Sequence, residues 1–203
     1  LQPDGSWIVD HVQSQMGAGG AMAAGVVTGI VGNPPSQLTL VMHDGVGNGM
    51  MSSSLAGTTT VNLGGTTRFA IDADEVDLAG LPFTPQFDPA HLSKGQAIRA
   101  WSSAQFEHDG HGMGGMSSGG TVTAASIYLK HQGLRGTVSG YASNGSQASF
   151  TLTVPADSAF AALTGVTTVT VYQQGNTQLR GMTSVTGGNT VQARGLMFFD
   201  SGV

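Results

Sequence analysis

Residues 107–116 read EHDGHGMGGM, setting His108, His111, Met113 and Met116 on a run of glycines in a chain that has no cysteine. Imidazole and thioether make a soft donor set: thioether selects Cu(I), and imidazole takes either copper state. Flanking glycines let side chains three residues apart converge without steric penalty. A second stretch of the same character, MHDGVGNGMM at 42–51, adds Met42, His43, Met50 and Met51. Copper is therefore the expected metal, provided the fold brings the two stretches together. The competing reading is structural, because methionines also pack beneath loops or against a neighbouring subunit.

The other reactive side chains form no constellation. Asp72, Asp74, Glu75 and Asp77 in DADEVD lack the glycine turn and the twelfth-position glutamate of an EF-hand loop, and read as a solvated acidic loop. GMSSG at 115–119 fits G-x-S-x-G around Ser117, but in a glycine-rich β-turn rather than a strand-to-helix elbow, so Ser117 is rejected as a nucleophile. His11 and His131 are expected to be satisfied structural histidines, and His91, in a loop after Pro89, is given no role. Asn144-Gly145-Ser146 fits the glycosylation triplet, a pattern short enough to arise by chance. No phosphate loop or dinucleotide fingerprint stands in a strand–turn–helix context, and the chain is read as non-enzymatic.

Composition says what must position the loops. Only 9% of the 203 residues are charged, against about 25% in ordinary soluble domains. Glycine occurs 32 times and aromatics make up 6%. Abundant β-branched and turn-forming residues point to an all-β protein. A net charge of −5 argues against nucleic-acid binding, which needs a basic face. So few charges also remove self-repulsion, which suits a secreted, assembling protein at the cell surface or beyond it. The absence of cysteine excludes disulfides and thiolate sites. The chain opens on Leu1, as a processed or excerpted chain would, and shows no signal peptide. Val12–Met42 is uncharged, but Met16–Gly32 holds six glycines and runs into Asn33-Pro34-Pro35, too short and broken for a membrane span.

Two parts of the chain repeat each other. GVVTGIVGN (25–33) matches GTVSGYASN (136–144), QLTLVM (37–42) matches SFTLTV (149–154), and TTTVNL (58–63) matches TTVTVY (167–172). LSKGQAIRA (92–100) matches VTGGNTVQA (185–193), with Gly95 on Gly188 and Ile98 on Val191. Each piece alternates apolar and polar residues, the mark of a half-buried strand. The first repeat then adds a fifth strand, GTVTAASIYL (120–129), which the second repeat lacks before it stops at MFFDSGV (197–203). A counterpart stands at the other end: DGSWIVDHVQ (4–13) matches GGTVTAASIY (119–128), placing Gly5 on Gly120, Val9 on Ala124 and Val12 on Ile127. Trp7, Ile8, Val9, His11 and Val12 are the candidate residues of this displaced strand.

The pattern resembles a family of bacterial secreted proteins built of tandem small OB-like barrels and known only as a domain of unknown function. The residues that carry the likeness are Gly25-Val26-Val27, Leu38–Met42, Thr67-Arg68-Phe69, Gly95–Arg99 and Gly120–Ala124, with the longer stretches 76–92 and 156–174. The resemblance implies fold and secretion, and brings no catalytic residues. The expected organisation is a donor-type strand at 1–15, a Gly/Ala linker at 16–24, an OB-like five-stranded barrel at 25–132 carrying both His/Met loops, and a second such barrel at 133–203 lacking its last strand. With OB-like strand directions, the turns after strands two and four leave one end of the first barrel, which would bring the His/Met loops together.

An open barrel exposes two unpaired edges and part of its core. The chain is an excerpt of a longer array, or strand 1–15 folds back within the molecule, or it enters the open barrel of the next copy. The last gives a head-to-tail homopolymer, an open filament. The expected function is thus a secreted bacterial filament subunit with copper-binding loops. The alternatives are a soluble periplasmic or extracellular copper-binding module, and an OB-type binder of sugars or oligonucleotides. The last is disfavoured by two tryptophans and seven lysines plus arginines in the whole chain.

Overall fold

The structure, a computed structural model, describes residues 20–42, 56–73, 76–105, 120–144 and 147–199. Strands β1 (Gly20–Val31), β2 (Gln37–Met42), β3 (Ala56–Ile71), β4 (Ala97–Gln105) and β5 (Thr121–Leu129) close a barrel in the order β1-β2-β3-β5-β4. Neighbours in it are antiparallel except β3 and β5, which run parallel. Strands β6 (Gln132–Asn144), β7 (Gln147–Thr153), β8 (Thr168–Gln173) and β9 (Thr190–Gly195) form an antiparallel sheet of order β8-β7-β6-β9. A short helix, α1 (Ala159–Thr164), joins β7 to β8. The expectation of a mostly β chain holds. The first unit is a closed barrel and the second an open half-barrel.

Period-two patterning explains the barrel. Leu38 and Leu40 of β2, Val61 of β3 and Ile98 and Ala100 of β4 point inward and are buried. In β5 the inward residues are Val122, Ala124, Ile127 and Leu129, a spacing that skips one residue between 124 and 127. The skip matches an irregularity in the parallel partner, where pairing jumps between Leu63 and Arg68. Each fully buried aliphatic side chain here stabilises the fold by roughly 1.5–3 kcal/mol relative to exposure. Phe87 and Leu92, from the connection between β3 and β4, also join this core.

The half-barrel repeats the barrel's register. Gly25 faces Ile98 between β1 and β4, and Gly136 faces Val191 between β6 and β9. Val27 faces Leu40, and Val138 faces Leu152. Val27 N–H donates to Gln96 O as Val138 N–H does to Asn189 O, and the N–H groups of Gly95 and Gly188 donate back to Val27 O and Val138 O. Both glycines take positive φ, +89° and +86°, which a side chain would strain. Leu92 and Val185, matched in sequence, are each 7% exposed.

Two expectations are corrected. Leu38 faces Val61 and Phe150 faces Val171, so TTTVNL (58–63) corresponds to 168–173, one residue later than the match to 167–172. A one-residue slip exchanges the two faces of a strand, so Val171 rather than Thr170 is the inward counterpart of Val61. The stretch 16–24 is not all linker. β1 begins at Gly20, and Met22, Ala23 and Ala24 pair with Trp101, Ala100 and Arg99. Ala23 and Ala100, paired across β1 and β4, both lie in the core.

Two glutamines join the lobes. Buried Gln96 accepts from Ser93 N–H and donates to His91 O and Met197 O, while Gln132 accepts from Ala97 N–H and donates to Gly95 O. The segment after β9 therefore leaves its own sheet, and Leu196 and Phe198 pack against the barrel core. Asp72 pairs with Lys130 at the same junction. Burial, with repulsion from Arg194 added, holds the Lys130 ammonium below its ordinary pKa.

Candidate functional site

Among the described residues, the half-barrel has a gap where the barrel has β5. In the barrel, β5 lies between β3 and β4. Their counterparts β8 and β9 are the two edges of the open sheet, and among the described residues no backbone hydrogen bond joins another segment to the outer side of either. Burial marks the same vacancy. Ala23, Val61, Ile98 and Ala100 are 0–3% exposed in the barrel. Their counterparts Leu134, Val171, Val191 and Ala193 are only partly buried. The residues that β5 would cover are thus the ones left open. Gln173, at the inward position matching Leu63, has a buried Oε1 without a hydrogen-bond partner among the described residues. Flanking contacts come from side chains: Phe83 packs on Tyr172 and Phe198, and Gln174 Nε2 donates to Ala79 O.

Of the expected metal ligands, Met42 closes β2. His43, Met50, Met51, His108, His111, Met113 and Met116 lie outside the described residues, as do Trp7, Ile8, Val9, His11 and Val12. The points where the His/Met loops join the barrel are described. Met42 pairs with Ala56, where the first loop returns, and Thr60 N–H donates to Gly120 O, where the second returns. The two loops therefore re-enter on adjacent parallel strands. Gly20 faces Gln105, where the second loop departs, so β1 starts at this end as well.

Of the remaining candidates, Asp88, His91 and Asp77 are engaged in local turns. His91 Nδ1 lies 2.7 Å from Asp88 Oδ1, and Asp88 also accepts from the N–H groups of Ala90 and His91 at the head of the 3-10 turn Pro89–His91. Burial pushes the Asp88 carboxyl up, but these hydrogen bonds and the His91 ring outweigh it and hold its pKa below the ordinary value. His131 is half-buried between β5 and β6. Asp77 accepts from Ala79 N–H, while Asp74, Glu75, Ser117, Gly145 and Ser146 lie outside the described residues. Among the described residues, no three histidines or carboxylates gather to hold a metal, and no helix is long and apolar enough to cross a membrane. A shallow depression lined by Gly32, Asn33, Pro34, Pro35, Asp88 and Leu92 offers one titratable group, already engaged in its turn.

Sequence reasoning proposed a displaced strand at 4–13, which lies outside the described residues, and did not name the wall of the gap. Each wall residue was findable as the partner, in the repeat, of a core residue; the slip in β8 concealed Val171. No protein-family model, curated protein or solved structure matches the chain.

Proposed function

We propose that this is a non-enzymatic, secreted bacterial structural protein. In this reading its two units are OB-like and it assembles head-to-tail into an extracellular filament by strand complementation. One observation carries the reading: the second unit repeats four strands of the first in the same register and leaves a gap, with a half-open core, at the place of the fifth. Two unpaired edges beside apolar side chains are unstable in isolation and receptive to a strand. The parallel β3–β5 pair and the order β1-β2-β3-β5-β4 support the OB-like description. The test is negative-stain electron microscopy of the full chain and of a chain lacking residues 1–15. Filaments that disappear on truncation are expected. Filaments that persist, or a full chain that stays monodisperse at every concentration, would overturn the reading.

The second reading, a copper-binding module, is compatible with the first. It is favoured by the return of both His/Met loops on adjacent strands, β3 and β5. Cu(I) titration of the full chain against one carrying alanine at His108, His111, Met113 and Met116 tests it, and unchanged affinity would return these loops to a structural role.

A further inference from the structure

We infer that the gap between β8 and β9 is a binding site for residues 6–14 of a second copy, entered parallel to β8 and antiparallel to β9. In this register Trp7 lies beside Val171 and Val12 beside Ala193. The inference rests on the strand-complementation reading and adds occupant, direction and register.

The barrel supplies the template. Val122 pairs with Val61 of β3, and Ile127 with Ala100 of β4; β3 runs beside both halves of β5, with Phe69 also opposite Ile127, while β4 runs beside the second half only, so Val61 and Ala100 mark one neighbour on each side. Transferred through the repeat, those neighbours are Val171 and Ala193. The incoming sequence fits the template in its one irregular feature. The inward residues of β5 are 122, 124, 127 and 129, two apart, then three, then two. Aligned on Gly5 and Gly120, these positions are Trp7, Val9, Val12 and Ser14. A strictly alternating strand would lose its inward face at the skip; this one changes phase with it at Val12, with the small Ser14 at the position of Leu129. Ile8 and His11 fall at the positions of Thr123 and Ser126.

Direction decides between the same copy and the next. In the barrel, β1 begins at Gly20 opposite Gln105, the last residue of β4, whereas β5 ends at Leu129 opposite Ile98 near its start. The half-barrel begins at Gln132, just past Leu129, and so at the end away from Gly20. A strand seated in the same molecule's gap has its last residue, 14, at the far end of the half-barrel. The five residues 15–19 would have to return past both units, yet they span at most about 20 Å, less than the roughly 30 Å of β5 alone. In the next copy no return is needed. The strand leaves the gap at the far end and continues into β1, as β5 continues into β6, so successive copies stack in line.

The chain has no cysteine, so engineered pairs report cleanly. V12C/A193C and V12C/V171C would be oxidised under assembly conditions and run on non-reducing gels, beside micrographs of the unmodified chain. The expected result is a thiol-reversible ladder of multimers from V12C/A193C and none from V12C/V171C. A ladder from V12C/V171C alone would mean a strand running the opposite way. A disulfide within single chains would mean closure in the same molecule. Filaments without either crosslink would mean that assembly uses another surface or register. Each of these last three overturns the inference while strand complementation itself stands or falls on the truncation test, and the absence of filaments from the unmodified chain overturns both.

Discussion

Replacing Trp7 with alanine is expected to weaken assembly far more than replacing its neighbour Ile8. By hydropathy alone Ile8 is the better core residue. The proposed register reverses that ranking: it sets Trp7 at the position of Val122, which is 4% exposed, and Ile8 at that of Thr123, which is exposed. Truncating a buried Trp to Ala costs about 3–5 kcal/mol. At roughly 1.4 kcal/mol per tenfold, association weakens by two to more than three orders of magnitude. An outward side chain away from any special feature is worth within about 0.5 kcal/mol, or roughly twofold. The assay is the critical concentration for assembly, measured by pelleting purified full-length chains. Trp7→Ala should raise it at least a hundredfold and Ile8→Ala by little. If Ile8→Ala matched or exceeded Trp7→Ala, the transferred register would be wrong.

Gly136→Ala would place a methyl against Thr153 O and 2.9 Å from Leu152 Cγ, inside the half-barrel core. Overpacking of this kind costs about 1–3 kcal/mol, which for a chain of this length lowers Tm by roughly 2–12 °C in a thermal melt. Asp88→Asn should destabilise at neutral pH by less than about 1 kcal/mol, given the partial exposure of the pair. The folded carboxyl titrates below its ordinary value of 3.8. Its contribution is therefore present above that pH and is lost as pH falls through the lower folded value, so urea melts of the two chains should converge on acidification. Alanine at His108, His111, Met113 and Met116 together should lower Cu(I) affinity by at least about a hundredfold in a competition titration, since even outer-shell changes at metal sites cost 10- to 100-fold.

Strands were legible in the sequence wherever inward and outward residues differ in kind. QLTLVM is β2 to the residue, and the pairing of Gly95 with Gly188 reappears as equivalent turns and hydrogen bonds. Legibility failed where the residues look alike. Gly20–Ala24 carries little alternation because β1 meets β4 through alanines, so a strand read as a linker. TTTVNL and TTVTVY can be laid together in more than one phase, and α1 in the preceding connection removes any anchor by loop length. The Gln96 and Gln132 staples were invisible because their partners, such as Met197 O, are distant backbone atoms. The gap could be read from strand counting. Its lining was findable through the repeat, but the partial burial of Val191 and Ala193 was not, because it turns on a neighbour that no described residue supplies rather than on Val191 and Ala193 themselves.

The most direct measurement is amide hydrogen exchange over 168–173 and 190–195 in the full chain under assembly conditions and in the chain lacking residues 1–15. A strand seated in the gap should protect the outer edges of β8 and β9 in the full chain only, leaving β6 and β7 alike in both. Equal uptake along both edges, with and without residues 1–15, would contradict the account.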